Sequence, residues 1–327
     1  MSKDYYIFSE GRIKRKDNTV YFIDSQENKR ALPIEEAERI HLFGEIDLNT
    51  KLLNYISQYG VVLNFYNYYG FYTGSFYPRK KRVSGLLLVK QGEHYSNYDK
   101  RLYMAKSFID GAAHHILKNL RRYKETTQEQ IEKIENEREN IDKAKAIDEL
   151  MGAEGRMRMC YYGAFNGILS NGFTMDKREK RPPTDPVNAL ISFGNSLMYT
   201  TVLGEMYHTQ LDPTISYLHE PSSRRFSLTL DVAEIFKPLI IDPLIFYMVN
   251  NRMLKQEDFD NYEGVCFLSE NGKKKFIREY EKKLETTIKH RSLNRKVSYR
   301  TFIKLECYKI IKHLIGEENY KPLKAWW

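Results

Sequence analysis

Four side chains in this sequence could do chemistry together: Glu154, His219, Asp231 and Glu234. Glu154 lies in Met151-Gly152-Ala153-Glu154-Gly155-Arg156-Met157-Arg158, a helix-forming stretch interrupted by two glycines. A glycine inside a helix costs about 1 kcal/mol relative to alanine. Small neighbours would let a substrate or another backbone come close to the carboxylate. The plainer reading is a surface acid paired with an arginine. His219 sits in Tyr217-Leu218-His219-Glu220-Pro221, downstream of Asp212-Pro213, on a loop fixed by prolines. Alone, such a histidine is more often a polar surface or hydrogen-bonding residue than a ligand. Asp231 and Glu234 fall in the apolar stretch from Ser227 to Pro238, at i and i+3 on one helical face. Two acids there repel each other and are costly to desolvate. A divalent cation would relieve both problems, and so would a basic partner such as Arg224, Arg225 or a distant lysine. One imidazole, two or three carboxylates and no thiolate suit Mg2+ or Mn2+ better than zinc, and the nitrogen favours Mn2+. Arg156, Arg158, Arg224 and Arg225 flank these acids and could reach phosphates.

Other chemistries are absent from the sequence. It contains no Walker A loop, no G-x-G-x-x-G entering a helix, no G-x-S-x-G and no H-E-x-x-H. Three cysteines (Cys160, Cys266, Cys307) without a C-x-x-C pair argue against a disulfide framework or a thiolate zinc site. No apolar run is long enough to span a membrane, since the best stretch, Leu239 to Val249, is broken by Pro243. The first residues do not have the layout of a secretory signal, so a reducing cytoplasm is the expected compartment. The net charge is +9, yet residues 1–78 hold 9 Lys and Arg against 10 Asp and Glu. The whole basic excess therefore lies beyond residue 78, where a polyanion would be drawn.

The elements that must position these residues fall into two groups. At 327 residues the chain is long for a single core. The front reads as strands: 5–8, 12–16 and 19–23, with Asp17-Asn18 as a hairpin turn, then 39–43, 61–65 and 71–76. A short helix over 51–58 is capped by Asn49-Thr50 and stopped at Gly60. Beyond the basic cluster Arg79, Lys80, Lys81 and Arg82, helical periodicity takes over near 98–124, 147–169, 186–208, 228–236, 272–290 and 299–314. The charged stretch 127–145 reads as an exposed helix or helix–loop. The expected fold class is α+β: a β-rich domain over 1–78, suited to dimerisation, a linker over 79–96, and an all-α catalytic and DNA-binding domain over 97–327.

The Glu154 helix, the Leu-His-Glu loop at 218–220 and the Ser-Leu-x-Leu-Asp-x-x-Glu-x-Phe-Lys-Pro segment at 227–238 resemble one known family. It is the CRISPR-associated endonuclease and integrase of spacer acquisition, the universal "Cas one" family. The stretch Phe267 to Phe276 and the order of the two domains extend the likeness over nearly the whole chain. The resemblance implies that Glu154, His219 and Glu234 are the catalytic, metal-binding residues, with Asp231 as a supporting acid behind them. In many relatives a glycine shortly precedes the histidine, where this chain has Ser216, and several use Asp in place of Glu234. The implied reaction is transesterification: a spacer 3′-hydroxyl is joined to the CRISPR repeat, with Mg2+ or Mn2+ as cofactor. Implied partners are double-stranded and branched DNA, a second copy of the chain, and the small "Cas two" adaptation protein. Arg79 to Arg82, Lys177 to Arg181 and the Lys289 to Arg300 region are further candidates for the DNA backbone.

Overall fold

The computed structural model describes residues 3–79, 83–180, 182–221 and 226–327. The chain divides into two compact units, 1–81 and 82–327.

The first unit contains β1 (Lys3–Ile7), β2 (Gly11–Lys16), β3 (Thr19–Asp24), β4 (Lys29–Leu32), β5 (Ala37–Leu42), β6 (Ile46–Asp47), α1 (Thr50–Tyr59), β7 (Val62–Tyr66) and β8 (Tyr72–Phe76). One sheet has the order β1-β5-β7-β8, with β8 antiparallel to β7 and the other pairs parallel. The other runs β4-β3-β2-β6, built on the β2–β3 hairpin. Asp17, at φ 53°, turns that hairpin as its sequence suggests. Helix α1 begins where the Asn49 side chain accepts from the Leu52 amide at 3.0 Å, and it ends at Gly60 with φ 73°. Its buried face, Leu52, Tyr55 and Ile56, joins Ile13, Val20, Ile40 and Leu63 in one core. The strands β4 and β6 were not expected. Both are short and carry few apolar residues to betray them.

The second unit contains α2 (Gly85–Ser96), α3 (Tyr98–Arg121), α4 (Lys124–Lys143), α5 (Ile147–Gly163), α6 (Phe165–Ile168), α7 (Pro186–Tyr207), α8 (Ser227–Phe236), α9 (Asp242–Asn250), β9 (Phe259–Tyr262), β10 (Val265–Leu268), α10 (Glu270–Glu285), β11 (Thr287–Lys289), β12 (Lys296–Ser298) and α11 (Tyr299–Leu314). Helix α3 is its axis. Met104, Phe108, Ile109, Ala112, Ile116 and Leu120 are buried there at the expected three-and-four spacing.

Two expectations are corrected. The stretch 85–96, expected as linker, is helix α2, started by Ser84 accepting from the Leu87 amide at 3.2 Å. Its buried face is Leu87, Gln91 and His94, so two of three inward positions are polar and hydrophobic periodicity is blind to it. Gln91 is satisfied by both backbone groups of Asp212, at 3.0 and 2.8 Å. The second unit is also not all-α, because β9–β10 and β11–β12 are antiparallel hairpins. Glu263 and Gly264 turn the first hairpin with positive φ at both positions, the geometry that matches strand twist. The second one ends the helix expected over 272–290 at Glu285.

Between α8 and α9 the backbone widens into a π turn over Lys237–Ile241. Pro238 has no amide to give, which disfavours regular α bonding there. Helix α7 packs tightly on this turn: a Cβ at Gly194 would lie 2.6 Å from Ile241 Cγ2. The C-terminal segment docks along α3 and α11. Trp327 stacks on Phe302 at 4.9 Å and donates to the Tyr299 hydroxyl at 2.7 Å.

Candidate active site

Helix α5 buries Leu150, Ala153, Met157 and Tyr161 and carries Glu154 and Arg158 one turn apart beside that face. Arg158 Nε donates to Glu154 Oε1 at 3.0 Å. Its Nη2 donates to Glu234 Oε2 on α8, so one guanidinium joins two of the predicted acids. The other oxygen of Glu234, Oε1, accepts from Lys237 Nζ at 2.5 Å. The Glu234 side chain is 12% exposed. Burial alone would push its carboxyl up, but Lys237, Arg158 and, more weakly, His219 outweigh that and hold it at about 2.

Asp231, one turn before Glu234, has a different task. It is fully buried, and its oxygens accept from the amides of Tyr217, Leu218 and His219 at 2.7, 3.0 and 3.1 Å. The same carboxylate takes His219 Nδ1 at 2.7 Å. Three backbone donors and the imidazole therefore pin the whole 217–219 loop to α8. Burial would lower the His219 pKa, yet the bond and charge of Asp231 raise it above the usual value. With Nδ1 engaged, Nε2 is the ring atom left to face a ligand. Ser216, where many relatives have glycine, closes the loop by donating its hydroxyl to the His219 carbonyl at 2.6 Å.

Glu154 and Glu234 thus share one guanidinium, and His219 acts electrostatically on Glu234. Among the described residues no three His, Cys, Asp or Glu side chains form a ready cation cage. The two acids are organised around Arg158, with Lys237 beside Glu234. By chemistry the donor set still suits a hard divalent ion: two carboxylates, plus an imidazole whose far nitrogen is held in place by an acid.

The basic candidates fare unevenly. Arg156 is engaged by Glu137 at 2.9 and 3.0 Å. Arg158 is buried between acids instead of standing on the surface. Arg178 is turned inward to Asn188 and Ser192, at 2.7 and 3.0 Å. Arg79 is exposed, whereas Lys80, Lys81, Arg82, Arg181, Arg224 and Arg225 lie outside the described residues. The glycines flanking Glu154 are not packed against another backbone: a Cβ at Gly155 would meet nothing, and one at Gly152 only the Arg156 guanidinium. Space is open on that side of the acid.

Sequence reasoning passed over Lys237, the buried role of Arg158, and a basic cleft. That cleft, lined by Lys118, Arg122, Lys283, Tyr299 and Trp327, is narrow at about 20 Å3, and Asn119, Arg122 and Pro243 also line a neighbouring open cleft of about 240 Å3 beside Tyr247 and Asn250. Burial, then mutual repulsion, keeps Lys118 and Lys283 below the usual lysine range. Their positions are scattered along the chain and form no run that could flag them.

The family model described as "CRISPR associated protein Cas1" matches residues 5–282, and the chain belongs to that family. It is 66% identical to the CRISPR-associated endonuclease Cas1 of Clostridium perfringens (strain SM101 / Type A), over 100% of both chains. Among solved structures it is similar to a Cas1 protein from Thermotoga maritima, with TM-score 0.90 and 38% identity over 98% of this chain and 99% of that one. A casposase bound to integration product shares the fold at TM-score 0.86, with 17% identity over 99% of this chain and 94% of that one.

Proposed function

We propose that this chain is a metal-dependent DNA endonuclease and integrase that joins the 3′-hydroxyl of a new spacer to the CRISPR repeat. The observation that carries the reading is the pairing of Glu154 with Glu234 through Arg158, with His219 held by Asp231 one turn before Glu234 on α8, within a chain of the Cas1 family. The spacer 3′ oxygen forms a bond to the repeat phosphorus, the bond from phosphorus to the repeat's 3′ oxygen breaks, and that oxygen leaves with a proton. With water as the attacking group the outcome is a nick. Glu154, His219 and Glu234 would hold a divalent ion, Mg2+ or Mn2+, which when bound would supply Lewis-acid neutralisation of charge at the reacting phosphate. Asp231 keeps His219 in the tautomer that presents Nε2. Lys237 places a positive charge beside the acids, where it favours an incoming phosphate. The substrate is double-stranded or branched DNA; a homodimer and a complex with the small Cas two protein complete the assembly, in the cytoplasm.

The test mixes a labelled oligonucleotide bearing a 3′-hydroxyl with supercoiled repeat DNA. Joined product that needs Mg2+ or Mn2+, and is lost in Glu154→Ala, His219→Ala and Glu234→Ala, is the expected result. Cleavage without joining would leave a plain nuclease, and activity untouched by the three substitutions would remove the site.

A further inference from the structure

Arg158 stands where a cation binding both acids would stand. Its Nε lies 3.0 Å from Glu154 Oε1 and its Nη2 is bonded to Glu234 Oε2, while Lys237 takes Glu234 Oε1 at 2.5 Å. Both oxygens of Glu234 are therefore already engaged by the protein's own cations. The charges of Glu154 and Glu234 are balanced by those of Arg158 and Lys237. The arrangement also holds an unused alternative. Arg158 Nη1 is buried with no hydrogen-bond partner, and so is Oδ2 of Asp242, at the start of α9. The two groups already act on each other electrostatically. A shift of one guanidinium towards Asp242 would satisfy both orphaned atoms and free oxygens of Glu154 and Glu234.

We propose that Arg158 is a resident stand-in for the metal: it holds Glu154 and Glu234 in place in the metal-free protein and yields them to a divalent ion by transferring to Asp242. This rests on the reading of those acids as metal ligands. It makes Arg158 a positioning residue whose presence weakens metal binding, the opposite of what a purely structural clamp would do. Asp242 is the group that makes the exchange affordable.

The experiment is a Mn2+ titration of the full-length chain without DNA, following the electron paramagnetic resonance signal of free Mn2+, alongside thermal melting with and without Mn2+. Arg158→Gln is expected to bind Mn2+ at least about tenfold more tightly than wild type, because two acids lose their competing cation. Its melting temperature should be lower without Mn2+ and should rise more when the ion is added. Asp242→Asn removes the group that receives the guanidinium, and should bind Mn2+ more weakly than wild type. Arg158→Lys, which can grip only one acid at a time, should fall between Gln and wild type, and it carries the test if Arg158→Gln does not fold. Equal or weaker Mn2+ binding in the Arg158 variants would overturn the inference while leaving the metal site standing. If neither wild type nor variants bind Mn2+, or if Glu234→Gln binds as wild type does, the metal reading itself falls.

Discussion

At the scale of single residues, the spacing of Asp231 and Glu234 conceals a division of labour. Both lie on one helical face, yet Asp231 turns to the 217–219 loop and Glu234 to Arg158. Replacing Asp231 with Asn would set an amide NH2 against backbone donors that now share a carboxylate. A buried donor left without an acceptor costs about 1–3 kcal/mol, and more where a charge was the partner. Asp231→Asn should therefore lower unfolding stability by about 2–3 kcal/mol, and joining activity by about 10- to 100-fold through misplacement of His219. His219→Ala, whose side chain is 30% exposed, should abolish joining and lower stability less than Asp231→Asn does, because Asp231 keeps its three backbone donors. Denaturant melts and the joining assay on both variants separate the two effects. Equal stability loss would mean that His219, not the loop, is what Asp231 supports. The helical placement of Glu154, Asp231 and Glu234 was legible in the sequence, whereas their grouping with His219 was what the family resemblance implied. Arg158 was not legible: Arg156 and Arg158 read alike, but two residues along a helix turn a side chain to nearly the opposite side. One therefore meets Glu137 on α4 and the other Glu234 on α8.

At the scale of elements, one neutral imidazole bonds α3 to both α8 and the C-terminal segment. His115 Nδ1 donates to the Ile235 carbonyl at 2.9 Å, and Nε2 accepts from the Ala325 amide at 3.0 Å. Burial dominates its environment and pulls its pKa down to about 3. The unfolded chain protonates this histidine below about 6.5, whereas the folded chain resists until far lower pH. Stability is therefore complete above pH 6.5 and falls as the solution is acidified through the window from about 6.5 to 3. His94 and His313, also buried enough to be lowered, add in the same direction. Melting temperature should drop between pH 7.5 and pH 5. His115→Gln, destabilised by about 1–3 kcal/mol at pH 7.5 through a lost bond, should show a shallower drop. Parallel curves would place the acid sensitivity elsewhere. Such cross-links explain which parts of the fold a sequence discloses. Helix α3 was readable because its inward face is mostly apolar, with His115 and Asn119 as polar exceptions. Helix α2 was hidden because Gln91 and His94 are buried on it, and their partners, Asp212 for Gln91 and Lys90 for His94, are invisible to periodicity.

At the scale of the molecule, the uneven charge becomes a matter of where free cations gather. The basic runs that draw attention in the sequence are in part neutralised or turned inward: Lys177 pairs with Glu179 at 3.3 Å, Arg300 with Glu281 at 2.9 Å, and Arg178 is internal. Lys118, Arg122 and Lys283 differ, since among the described residues none of them has a carboxylate side chain as partner. Lys118 is bound to the backbone oxygens of Ala325 and Trp327, and Lys283 sits 4.7 Å over the Tyr299 ring. Their mutual repulsion is a standing cost that a phosphate would relieve. Binding of a repeat-length duplex, measured across a salt series, should separate this cleft from ordinary surface charge. Each phosphate contact contributes about 0.9 to the slope of log affinity against log salt. Lys283→Ala should shrink the slope by about one contact, and Arg122→Ala with Lys283→Ala by about two. Arg156→Ala, whose guanidinium is already spent on Glu137, should leave it unchanged. If Arg156→Ala moved the slope as much as the cleft variants, attraction to DNA would come from the net charge of the helical unit and not from a path through Lys118, Arg122 and Lys283.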